Sequence, residues 1–275
     1  MKKGLFMFFV IISIILVIIG RNSYGTKLDT IAETAHKELA AAVLAQEQKA
    51  EEVRILEEER VQSEFDRLTS GLSDSIKQLV ERGYFYDEEI HIVAFGSRLI
   101  TDSQNEGITP WPDLLEQQLN EAYEKSMFQV STVSVGGLTS LQVLGDRRYE
   151  EVLSLSPDIV IIEPFVWNNI GEVATHDTHI VLSMIMEAYE EADENFTIYV
   201  QPPHPVFGTH FYPLYVEQLK DYALENGYNY IDHWSDWPDV ESDDLLLYVN
   251  QEHQMPTQEG HERWSSSIMK LFVNP

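Results

Sequence analysis

Few residues in this chain have types and spacings that could do chemistry. Ser97 follows the apolar run Ile90-His91-Ile92-Val93-Ala94-Phe95 and Gly96, so its hydroxyl falls at the end of a strand-like segment. A serine hydroxyl acts as a nucleophile only with a base in hydrogen-bond reach, and the base needs an acid to orient it. Toward the C-terminus His253 or His261 could supply the base, and Glu252 or Asp232 the orienting acid. Metal chemistry has weaker support. His176-Asp177-Thr178-His179 has i, i+3 spacing at a predicted helix start, where capping by Thr175 or Asp177 is the simpler account. His204, His210, His233, His253 and His261 are scattered, so no metal is expected. The chain has no cysteine, which excludes thiolate chemistry and disulfides. It also has no phosphate-binding glycine loop or dinucleotide fingerprint, and no cofactor is expected.

The elements that must position these residues begin after Gly83. Candidate strands cover 90–95, 129–135, 158–163, 196–201 and 228–232. Amphipathic stretches cover 111–125, 139–154, 175–193, 213–226 and 257–272. Short apolar strands alternating with helices imply an α/β domain, with a parallel sheet covered by helices on both faces. Pro110 and Pro112 flank Trp111 and open the first of these helices. In such sheets the site forms at the carboxyl ends of the strands. Gly96-Ser97-Arg98, Gly136-Gly137 and Trp167-Asn168-Asn169 all fall there, and Pro202-Pro203-His204-Pro205 reads as a rigid loop at the rim.

Ahead of this domain, residues 4–20 are uncharged and apolar and follow Lys2 and Lys3, at the short end of what spans a bilayer. The lysines place the N-terminus in the cytoplasm and everything after Arg21 outside. An uncleaved anchor is the favoured reading, and a secreted product cleaved near Ser23-Tyr24-Gly25 is the alternative. Residues 26–82 are rich in helix formers, with an apolar stripe (Leu28, Ala32, Ala35, Leu39, Ala42, Val53, Leu56, Val61, Phe65, Leu68) that breaks around Gln46–Lys49. This reads as a solvated helical stalk, or else as a surface for self-association. The division is thus 1–25 anchor or signal segment, 26–82 stalk and 83–275 α/β domain. Lys+Arg 18 against Asp+Glu 46 gives a formal charge of −28, which argues against a nucleic-acid partner.

Taken together, four blocks resemble the SGNH (GDSL-type) hydrolases over residues 88–273. They are Val93-Ala94-Phe95-Gly96-Ser97-Arg98-Leu99, Val133-Ser134-Val135-Gly136-Gly137, Pro157-Asp158 through Glu163-Pro164-Phe165-Val166-Trp167-Asn168-Asn169, and Glu252-His253-Gln254-Met255-Pro256-Thr257-Gln258-Glu259-Gly260. The third is similar to a version seen in Bacillus-type members. The resemblance implies a three-layer α/β/α, flavodoxin-like fold and serine esterase or deacetylase chemistry on acylated carbohydrate or envelope polymers. By position it makes Gly137 and Asn168 the oxyanion donors.

The catalytic positions depart from that pattern. The nucleophile's position holds Arg98 and the base's position holds Met255, while Ser97 and Glu252 stand where the two acids belong. A guanidinium cannot accept an acyl group, and a thioether has no proton to exchange. The favoured expectation is a membrane-anchored extracytoplasmic domain with a degenerate site, which binds or scaffolds at the envelope through cell-wall or surface carbohydrate. The alternative is a divergent esterase that uses Ser97 with His253 and Glu252. In the favoured case Arg98 is expected to pair with Glu252 or with another acid lining the pocket.

Overall fold

The computed structural model describes residues 2–192, 196–252 and 254–274. It divides into two units, residues 1–64 and 65–275. Helix α1 runs from Lys2 to Leu68. Its first part contains the one helix among the described residues that is long and apolar enough to cross a membrane. Along the first unit Leu28, Leu39, Val53 and Leu56 are exposed, and surface pairs such as Lys37–Glu33 and Arg54–Glu58 brace neighbouring turns. The apolar stripe changes character at Phe65, which is buried together with Leu68. The Phe65 ring meets Tyr84 and Phe85 of α2 (Asp74–Tyr86). The sheet unit therefore starts ahead of the expected boundary at residue 83, because these aromatic side chains complete its core.

The sheet has five parallel strands in the order β2-β1-β3-β4-β5. They are β1 (Ile90–Gly96), β2 (Phe128–Ser134), β3 (Ile159–Ile162), β4 (Thr197–Val200) and β5 (Asn229–Tyr230). Each lies where the sequence places a strand, although β5 is only two residues long. β1 and β3 are buried along nearly their whole length, as expected for strands covered on both faces. Successive side chains alternate between the faces. Val93, Phe95, Val160 and Ile162 join a core with α7 (Thr175–Glu191) and α8 (Tyr212–Glu225). On the other side α3 (Trp111–Ala122) packs against α9 (Gln258–Met269), with Trp111 stacked on Trp264 at 5.6 Å.

The stretch 139–154, expected as one helix, is two short ones: α4 (Ser140–Gly145) and α5 (Glu150–Leu153). Arg147 lies between them at φ 53, and a left-handed residue cannot continue a right-handed helix. The start of α7 also differs from expectation. Its N-cap is Ala174 with no side-chain capping bond, so neither Thr175 nor Asp177 caps it.

Candidate functional site

The loops after β1, β2 and β3 meet at the carbonyl of Gly136. Gly136 has φ +61, a conformation that suits glycine, and its oxygen accepts the Arg98 N–H at 2.8 Å and the Asn168 amide at 2.9 Å. Asn168, in α6 (Val166–Asn169), sends a second Nδ2 bond to the Leu138 carbonyl at 2.7 Å. Both amide hydrogens of Asn168 thus hold the second block's turn in place. To act as an oxyanion donor it would have to release one of them. Gly137 beside it is exposed.

Ser97 points inward. It is fully buried, and its hydroxyl accepts the Leu99 N–H at 3.3 Å as the cap of the 3-10 turn Arg98–Ile100. Its own N–H donates to Glu163 Oε2 at 3.0 Å. Gly96 permits this approach, since a Cβ there would stand 3.0 Å from Glu163 Cβ. Burial pushes the Glu163 carboxyl above the ordinary range, opposed by the Ser97 hydroxyl and by the N–H groups of Ser97, Phe165 and Val166. Arg98 turns the opposite way. It is exposed, and its Nε pairs with Asp102 Oδ2 at 2.8 Å, one turn along. The pairing with Glu252 is not formed. A local i, i+4 partner orders less chain than a bond across to a distant loop.

Among the described residues, the fourth block supplies no acid–base pair to this centre. Met255 is buried, and its carbonyl accepts the Asn250 N–H at 2.9 Å. Glu252 is exposed, its N–H held by the Asn250 side chain at 2.8 Å. His253 lies outside the described residues. Asp232, the other candidate acid, pairs with Lys220 at 2.5 Å.

The structure gathers three other histidines instead. His261, a candidate base in the sequence, is fully buried, and so are His204, expected at the rim, and His233. All three rings lie against Trp264, with centroids at 5.9 Å for His204, 5.0 Å for His233 and 6.4 Å for His261. Each donates from Nε2. His204 donates to the Gln254 carbonyl at 2.6 Å, His233 to the Pro202 carbonyl at 2.8 Å, and His261 to Ser103 Oγ at 2.6 Å. His261 Nδ1 accepts the Trp111 N–H at 3.2 Å. Its proton therefore sits on Nε2, and it cannot take one from Ser103. Burial pulls His204 and His233 down to about 4 and His261 to about 3, so all are neutral at pH 7. Among the described residues, Glu163 Oε1, His204 Nδ1 and the Gln201 amide nitrogen lack partners of normal hydrogen-bond geometry. Single-residue reading missed this centre. Its signal was Glu163, a lone charge ending an apolar strand.

Comparison with known proteins places this arrangement. No protein-family model matches the sequence, and no curated protein is significantly similar to it. Solved structures do match. A protein from Desulfitobacterium hafniense described as lipolytic and of the G-D-S-L family superposes with a TM-score of 0.55 at 19% identity, over 66% of this chain and 99% of its own. A GDSL-like lipase from Parabacteroides merdae gives 0.55 at 12% identity, over 67% and 96%. A catalytic mutant of an acetylxylan esterase from Geobacillus stearothermophilus gives 0.55 at 14% identity, over 67% and 94%. With its sheet order and the four blocks at its strand ends, the domain has the fold of the SGNH (GDSL-type) hydrolases.

Proposed function

We propose that this chain is a membrane-tethered, extracytoplasmic domain that binds or scaffolds carbohydrate of the cell envelope and turns over no ester. The observation that carries the reading is the orientation at the end of β1. The serine hydroxyl is buried as a turn cap, and the residue that faces outward is an arginine. An acyl carbonyl cannot reach the first, and the second cannot attack it. The apolar start of α1 after Lys3 supports tethering with the domain outside. Similarity in fold to an acetylxylan esterase supports a saccharide as the ligand class.

The rival reading is an esterase or deacetylase working through Ser97. It draws on the contact between Ser97 and the buried Glu163, since perturbed acids gather at catalytic sites. The two separate on full-length protein in detergent, given acetylated xylo-oligosaccharides and a short-chain aryl ester. We expect release of acetate no faster than in buffer. Turnover that disappears in Ser97→Ala, with melting behaviour retained, would establish the esterase and end the binding reading.

A further inference from the structure

Away from the Ser97 centre, the start of α7 and the facing side of α8 border a half-open cavity of about 480 Å³ and a shallower surface depression of about 310 Å³. Thr175 and His179 belong to the walls of both, so the two adjoin along one cleft. Each lies in the size range of small-molecule sites. None of Ser97, Arg98, Gly137, Asn168 or Met255 lines either one.

The walls have a consistent chemistry. Tyr215 lines the first cavity and Tyr222 the second. Tyr222 is held flat, with its hydroxyl 2.6 Å from Ser183 Oγ and its ring stacked on His179 at 4.5 Å. Glu172 contributes a carboxylate to the first cavity, and Asp221 and Glu225 contribute two to the second. Among the described residues none of these three carboxylates has an ion-pair partner, and no lysine or arginine lines either cavity. Burial and the neighbouring His176, which also lines the second cavity, lower the pKa of His179. Phosphate- or carboxylate-bearing polymers are repelled from such walls, whereas an ammonium is attracted both to the carboxylates and to a tyrosine face.

We propose that this cleft binds an oligosaccharide carrying free amino groups, with successive sugar rings against Tyr215 and Tyr222 and their ammonium groups toward Glu172 and Asp221. The proposal rests on the binding reading above and names its ligand. The test is calorimetric titration of the full-length protein with a glucosamine tetramer and, separately, with its fully N-acetylated counterpart. The amino form should bind, weakening as salt is raised, and the N-acetylated form should bind at least about tenfold more weakly, since it offers no ammonium. Glu172→Gln and Asp221→Asn, both at exposed positions, should each weaken the amino form about two- to fivefold, as exposed charge pairs do. Equal affinity for the two tetramers, no loss in the double variant, or no binding of either would overturn the proposal. If isolated envelope material still retains the protein without ester turnover, only the ligand assignment falls. Ester turnover would remove the binding reading itself, whatever the tetramers do.

Discussion

The carboxyl edge of the sheet and the α7–α8 cleft are both rich in polar side chains, yet they use them in opposite ways. At the sheet edge Ser97 caps a turn, Asn168 ties two loops together, and three histidines donate inward. In the cleft, Glu172, Asp221, Glu225, Tyr215 and Tyr222 border open space. A polar group that completes the fold cannot also meet a ligand without breaking the bonds it already makes. The region with family-like motifs is therefore the more structural of the two.

The largest effect that would sharpen this contrast is expected at Trp264, which is buried beneath the three histidine rings and bonded through Nε1 to Gln201 at 2.9 Å. Trp264→Ala should cost about 3–5 kcal/mol, the usual range for emptying a buried aromatic site. Denaturant unfolding measures it, and a loss below about 1 kcal/mol would mean that the sheet edge is not the packed structure described here.

The next effect is proton-linked. His204, His233 and His261 have folded pKa values of about 4, 4 and 3, below an unfolded value of about 6.5. The unfolded chain thus binds more protons between those limits, so stability is full above about pH 6.5 and declines as pH falls toward 4. Each histidine adds a slope of up to about 1.4 kcal/mol per pH unit in that window. Glu163 acts in the other direction, because its raised pKa lets the fold take up a proton first. Asp232 and Asp236 also oppose the shift at His233. Urea midpoints measured between pH 7 and pH 4 should fall steeply. A flat profile would show that these rings are not buried neutral.

The smallest effect belongs to Arg98. Its pair with Asp102 joins an exposed arginine to a half-buried carboxylate, and pairs so near solvent contribute about 0–1 kcal/mol. Arg98→Ala should leave the melting temperature nearly unchanged, and adding Glu252→Gln should change nothing more. A large loss with Arg98→Ala, recovered in the double variant, would restore the clasp across the site.

Much of the architecture was legible along the chain. β1 and β3 are short apolar runs ended by glycine or by a lone acid, and they occur where they were placed. The α4–α5 break was not legible, because it depends on Arg147 adopting a left-handed backbone. The site was less legible than the fold. His261 reads as an early residue of an amphipathic helix, and its burial comes from Trp111 and Ser103 on segments distant in sequence.

The sequence by itself determined the order of strands and helices, the loops that reach the sheet's carboxyl edge, and an N-terminal helix apolar enough to enter a membrane. These are local properties, set by the periodicity of apolar residues and by helix and turn propensities. Tertiary structure alone decided that Ser97 faces in while Arg98 faces out, that Arg98 takes Asp102 and not Glu252, and that three scattered histidines share one tryptophan. Those outcomes depend on which distant groups arrive at hydrogen-bond distance, and spacing along the chain does not carry that information.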